Sequence, residues 1–158
     1  MQPIRIIEIP GCKMVSSGAG MFGEDKIDNF AKWFSSLPRT VHSRDYLTDS
    51  YTESTDEIYE KGEFNGMLWY YEYTDGMDVP EEYEIVDFKG GLYAVATDID
   101  QKTDVKKMKK AVNKFLKAIG FIPDKSRPEL GNIITSEAAQ KVLGYEQMDY
   151  YTPVKALK

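Results

Sequence analysis

Alternation of apolar and polar positions opens the chain. Residues 3–9, PIRIIEI, alternate and are rich in isoleucine, which predicts a strand ending at Pro10-Gly11. The run CKMVSSGAGMFG extends that strand and turns at its glycines. The period then changes. In residues 25–37, DKIDNFAKWFSSL, the apolar residues Ile27, Phe30, Trp33, Phe34 and Leu37 recur at three or four, the spacing of one helix face. Asp25 or Glu24 favours its start, and Pro38 stops it. Residues 39–63 are polar and irregular, and the pattern places nothing there beyond a helical turn at TDEIYEK.

The second half is more regular. MLWYYEYTDG, residues 67–76, has strong strand propensity and ends in a turn. YEIVDF, 83–88, follows as a strand, Lys89-Gly90-Gly91 turn, and LYAVATDI resumes as a strand. A helix comes next, capped by Asp104 or Thr103. In it Val105, Met108, Val112, Phe115 and Ile119 keep helical spacing, and Gly120 ends it. Its other face carries Lys106, Lys107, Lys109, Lys110, Lys114 and Lys117, which reads first as a solvated face and second as a surface for an acidic partner. ELGNIIT, 129–135, predicts a short strand. SEAAQKVLG, 136–144, predicts a short helix capped by Ser136, and MDYYTPV a last strand.

The order is strand, helix, strand, strand, twice over. It predicts an α+β fold: a tandem βαββ repeat forming a mostly antiparallel sheet, with the two long helices packed on one face. The chain forms one domain, 1–158, with halves at about 1–89 and 90–158. The opposite face, or the seam between halves, is left to hold a ligand.

Charge and composition narrow the function. The net charge is −6 and the pI near 4.9, so free nucleic acid, which needs a basic surface, is not expected as a direct partner. Cys12 is the only cysteine, so no internal disulfide forms, and a reducing cytoplasm is the expected home. There is no apolar signal segment, and no apolar run reaches the roughly 20 residues of a membrane span. His42 is the only histidine and lies in a polar stretch, which leaves a histidine metal site or a Ser-His-Asp triad little to build on. GAGMFG at 18–23 has the look of a phosphate-binding loop but lacks a βαβ setting, and is read as a turn. No cofactor and no metal are expected.

Aromatic residues shift the reading towards binding. They make up 13% of the chain, with eleven Tyr against seven Phe, and tyrosine joins an apolar face to a polar tip. In LWYYEY, Trp69 and Tyr71 share one strand face, and Tyr70 and Glu72 share the other. The first face is favoured for a site, because Glu72 suits solvent. Tyr93 adds a ring from the next strand but one. Tyr150 and Tyr151 are neighbours on the last strand and so point to opposite faces. One closes a ligand site and the other packs on a helix. Rings around a carboxylate suit a cation with flat rings, at roughly 0.5–2 kcal/mol per ring. From Asp45 to Asp87 fourteen acids face one lysine, a field that draws cations or simply keeps the chain soluble.

The stretches KIDNFAKWFSSLP, PEEYEIVDFKGGLYAVATDI, RPELGNIIT and MDYYTPVK together resemble the GyrI-like, or AraC-type, effector-binding domain family. Gly90-Gly91 before Tyr93-Ala94-Val95, and Tyr151-Thr152-Pro153-Val154 in the last strand, stand in the places of that family's motifs. The resemblance covers nearly the whole chain. It implies the SOUL/GyrI-like tandem βαββ fold and a small-molecule binding module, with cationic or aromatic drug-like ligands. Many such modules are the sensing half of transcription regulators, and this one reads as freestanding or as a piece of a larger regulator. The family's pocket glutamate corresponds to Glu129, although Gly131 stands where the family has an aromatic, and Glu146 is a second candidate. Ligand-binding residues are therefore expected at Trp69, Tyr71, Tyr93, Glu129, Tyr150 and Tyr151. A second copy of the chain is an open partner. Two alternatives remain: a hydrolase of strained cyclopropane compounds using a pocket Glu and Tyr, or a gyrase-inhibitor-like interaction protein.

Overall fold

The computed structural model describes residues 3–38, 44–52 and 63–157. The turn expected at TDEIYEK and His42 lie outside the described residues. By its contacts the chain divides into two compact units. One comprises Met1–Ile9 with Gly91–Lys158, the other Pro10–Gly90. The first strand, β1 (Arg5–Ile9), belongs to the unit that holds Gly91–Lys158. That strand pairs with β6 (Gly91–Ile99), so the chain's start joins its second half.

The Pro10–Gly90 unit holds four antiparallel strands in the order β3-β4-β2-β5: β2 (Cys12–Ser16), β3 (Asp45–Thr52), β4 (Glu63–Glu72) and β5 (Glu84–Phe88). Strand β3 arises in a segment that the hydrophobic pattern left unassigned. Its polar sequence, DYLTDSYT, carries little strand signal of its own, and the ladder to β4 makes the strand. Helix α1 (Asp25–Ser35) begins after Glu24, whose backbone is extended but whose side chain makes no cap bond. Its buried Ile27 and Phe30 lie where the period predicted them. Phe30, Trp33 and Phe34 pack with Val15, Tyr71 and Tyr83.

The other unit is built on β9 (Gln147–Ala156). It pairs along one edge with β6 and along the other with β8 (Leu130–Ile133) and the short β7 (Phe121–Pro123), all antiparallel. Helix α2 (Val105–Ile119) is capped by Asp104, whose Oδ1 accepts from the Lys107 amide at 3.1 Å, and ends at Gly120 with φ 82°. It buries Met108, Val112 and Leu116 against Ala94, Ala96 and Val154. The lysines on its outer face are exposed. Helix α3 (Glu137–Leu143) is capped by Ser136 and ends at Gly144. The fold class is therefore α+β and mostly antiparallel, with nine strands and three helices among the described residues. Three strands exceed the βαββ count. Two of them, β2 and β3, come from the first half, and β7 is a three-residue extension of α2's turn.

Every residue from Tyr93 to Thr97 is buried, so both faces of β6 are covered. Gly91 precedes this run with φ 152°, and a Cβ there would lie 2.5 Å from Nη1 of Arg127. Gly91→Ala is expected to destabilise the protein by about 1–3 kcal/mol, through backbone strain and displacement of the guanidinium. A urea midpoint equal to wild type would contradict this. Leu116→Ala should cost about 2–5 kcal/mol by the same measurement, since it opens a cavity beneath α2.

Candidate functional site

On β6 and β9 the alternation of side chains separates two faces. Ala94 and Ala96 turn to α2, and Tyr150 packs with them against that helix. Tyr93, Val95, Thr97, Asp149 and Tyr151 turn the other way. The register sets them in rows: Thr97 opposite Asp149 opposite Asn132, then Val95 opposite Tyr151 opposite Leu130, with Arg5 beside Val95.

Asp149 is the centre of one polar group. It is 4% exposed and carries a carboxylate away from solvent. The Arg5 guanidinium donates to its Oδ2 at 3.2 Å and to Thr97 Oγ1 at 3.2 Å. The Thr97 hydroxyl donates to Asp149 Oδ1 in a short bond. The Tyr151 hydroxyl lies 3.1 Å from Asn132 Oδ1 and 3.4 Å from Asp149 Oδ2, so its single proton chooses between two acceptors. An unpaired carboxylate buried this deeply would be costly. Arg5, whose side chain is 47% exposed, supplies the countercharge from the neighbouring strand.

A second polar group lies further along the same face. Arg127, 4% exposed, donates through Nε to Asp124 Oδ2 at 3.0 Å and through Nη2 to the carbonyls of Leu92 and Val154, both at 2.9 Å. Its guanidinium carbon stands 4.8 Å from the ring centre of Tyr93, close enough for a cation–π contact. The Tyr93 ring meets Tyr151 edge-on, centroids 6.2 Å apart at 86°. The Tyr93 hydroxyl and Arg127 Nη1 are buried and have no hydrogen-bond partner among the described residues. Burial pushes the Tyr93 phenol up, opposed by the adjacent Arg127 charge. Burial would also raise Asp124, but the Ser126 hydroxyl and amide, together with Arg127, hold its carboxyl at about 2.

The expected site residues are distributed as follows. Tyr93 and Tyr151 share the face just described, and Tyr150 lies behind it under α2. Glu129 precedes β8 with its side chain 41% exposed, 3.8 Å from the Lys109 ammonium on α2. Glu146 is half-buried in the turn before β9, where its carbonyl accepts from the Asp100 amide. Trp69 and Tyr71 belong to the Pro10–Gly90 unit and face α1. Tyr71 stacks on Phe34 at 5.1 Å and meets Trp33 at 6.1 Å. Trp69 meets Phe34 at 5.3 Å and donates its indole N–H to Asp45 Oδ2 at 2.9 Å. Those rings are the core beneath a helix. On the opposite face of that unit Tyr46 and Tyr70 each lie near Phe88.

Asp149, Thr97, Asn132, Arg5 and Arg127 were not singled out by pattern. Asp149 carried one legible signal: in MDYY it stands two residues before Tyr151 and so must share its face. Nothing local marks the rest, because Arg5 and Asp149 are 144 residues apart. Among the described residues no group of three acids, cysteines or histidines is placed to hold a metal ion. No helix there is long and apolar enough to cross a membrane.

No sequence-family model and no curated protein sequence matches the chain. Solved structures do. The C-terminal domain of EcmrR superposes with a TM-score of 0.65 at 11% identity, covering 98% of both chains. In the EcmrR–DNA complex the TM-score is also 0.65, and the present chain spans 58% of the EcmrR chain. A hydrolase from Listeria innocua matches with a TM-score of 0.62 at 9% identity, over 96% of this chain and 91% of that one. SAV2435 bound to tetraphenylphosphonium matches with a TM-score of 0.51 at 12% identity, over 98% and 94%. The chain thus has the GyrI-like effector-binding fold. At such identities the likeness speaks to the fold alone.

The Asp124–Arg127 pair generates a pH prediction. The folded carboxyl is held below its ordinary value, so its contribution to stability is complete above about pH 4 and disappears as pH falls through about 2. Asp124→Asn should remove that part of the acid dependence. Superimposable stability curves for variant and wild type between pH 5 and 2 would refute it.

Proposed function

We propose that the protein is a small-molecule binding module related to the sensing domains of transcription regulators, and that its ligand is a cationic or aromatic drug-like compound. The observation that carries this reading is the buried Asp149 carboxylate beside the Tyr151 hydroxyl, with the Tyr93 ring edge-on to Tyr151, on the sheet face away from α2. Rings attract a cation through their quadrupoles, and the acid balances its charge. The countercharge now held by Arg5 comes from a half-exposed side chain, which can swing into solvent when another cation arrives. The fold supports the reading in kind, since one structure that shares it holds tetraphenylphosphonium. Glu129 stays in the proposal as a charged neighbour outside the face, and Trp69 and Tyr71 as the core that shapes the other unit.

Binding here requires buried side chains to move, so association should be slower than entry into a pre-formed site. With micromolar affinity, about 100 µM tetraphenylphosphonium stabilises the fold by about 2.7 kcal/mol, which raises Tm by roughly 5 °C or more. Asp149→Asn keeps the shape but removes the charge, and should weaken binding of this cation at least about tenfold. No shift with tetraphenylphosphonium or any cationic dye in the hundreds of micromolar would defeat the proposal. A hydrolase is the second reading. It is favoured by the hydrolase that shares the fold and by Asp149 lying within reach of two hydroxyls, Thr97 and Tyr151. Its test is turnover of a cyclopropane-bearing substrate that is lost in Asp149→Asn and kept in Glu129→Gln.

A further inference from the structure

Helix α2 carries a row of charge that its own surroundings do not answer. It holds six lysines in 15 residues and no acid. Lys109 meets the Glu129 carboxylate at 3.8 Å. Lys106, Lys107, Lys110, Lys114 and Lys117 are exposed and make no ion pair among the described residues. Lys106, Lys110, Lys114 and Lys117 follow at steps of four, four and three, so they line one side of the helix over about 16 Å. Like charges at that spacing repel, and Lys106 and Lys107 stand in the first turn, where the helix dipole disfavours cations. A face that only had to stay in water would mix the two signs.

The complement is a segment of the other unit. No Lys, Arg or His occurs between Lys61 and Lys89. Within that stretch Asp75, Asp78, Glu81, Glu82 and Glu84 are exposed and make no ion pair among the described residues. Their backbone is pinned. The Met77 amide donates to the Thr74 carbonyl at 3.0 Å, and the Tyr83 amide to the Pro80 carbonyl at 3.1 Å. Met77, Val79 and Tyr83 pack into the aromatic cluster beneath α1, with Tyr83 edge-on to Phe30 at 4.9 Å. Those three side chains turn inward and leave the acids between them at the surface. Charge is divided between the units accordingly: Pro10–Gly90 has 17 Asp or Glu against 7 Lys or Arg, and the remainder 9 against 13.

We infer that the lysine face of α2 docks on the acidic segment 75–84 of a second copy of this chain. Each copy supplies both surfaces, so five unpaired ammonium groups meet five unpaired carboxylates. Both surfaces are presented by elements fixed to a core, α2 through Met108, Val112 and Leu116 and the acidic segment through Met77, Val79 and Tyr83. Exposed ion pairs are weak one by one, so the contact depends on their number and dissolves in salt. Reciprocal docking closes a dimer with two equal contacts, and one-way docking extends a chain of copies. Neither requires a ligand on the face of β6 and β9.

Sedimentation velocity at high protein concentration tests this. Wild type should form dimers or longer assemblies in about 10 mM NaCl and sediment as a monomer in about 1 M, as the screening length falls from about 30 Å to about 3 Å. The triple variant Lys106→Glu, Lys110→Glu, Lys114→Glu should self-associate at least about tenfold more weakly at low salt, and so should Asp78→Lys, Glu81→Lys, Glu82→Lys. Mixing the two variants should restore association, because each then meets its opposite. The control Lys102→Glu, Lys141→Glu, Lys155→Glu reaches the same net charge as the first variant and should associate like wild type. A monomeric wild type at low salt would overturn the inference. If that monomer then binds phosphatidylserine vesicles or a DNA duplex through α2, the face belongs to that partner instead. Association unchanged in both triple variants, lost equally in the control, or not restored by mixing would also overturn it.

Discussion

A strand can turn only every second side chain to one face, and the pairing of β9 with β6 makes that constraint decisive here. Tyr150 goes beneath α2 with Ala94 and Ala96, and Tyr151 goes to the opposite face with Asp149, Thr97 and Tyr93. A slip of β9 by one residue would carry the Asp149 carboxylate into the helix-packed core and Tyr150 to the face that now holds polar groups. The register is fixed from both sides, by β6 on one edge of β9 and by β7 and β8 on the other. The polar face exists because the apolar face cannot move.

Charge on that face is settled locally, pair by pair. Arg5 answers Asp149, and Arg127 answers Asp124. The two pairs differ in how firmly they are held. Arg127 is tied by four contacts to three segments and is almost wholly buried, whereas Arg5 reaches in from a half-exposed position. The face therefore joins a firmly held, buried ion pair to one whose cation is half-exposed.

The Pro10–Gly90 unit uses its aromatics differently. Phe30, Trp33, Phe34, Tyr71 and Tyr83 are linked beneath α1 by edge-on, tilted and stacked pairs whose centroids stand 4.9–6.1 Å apart, and Trp69 joins them through Phe34. Such pairs add to the burial of large apolar surfaces. The high tyrosine content, which pointed to a binding wall, is in good part a structural core. Tyr71 is half of one stacked pair, and Tyr83 gains an edge-on contact with Phe30.

By itself the sequence determined what depends on neighbours a few residues away. The face of α1 through Ile27 and Phe30, the cap at Asp104, the stops at Gly120 and Gly144, the α+β class and the opposed directions of Tyr150 and Tyr151 all follow from local period and turn chemistry. Tertiary structure decided the rest. DYLTDSYT became a strand only because β4 offered a ladder, and β1 left the first half for the edge of β6. The acid that is buried is Asp149 and not Glu129, because its donors Arg5 and Thr97 come from two other strands and Tyr151 from its own. Glu129 met Lys109 at the surface instead. Whether a carboxylate is buried depends on whether donors converge on it in space, and separation along the chain carries no record of that convergence.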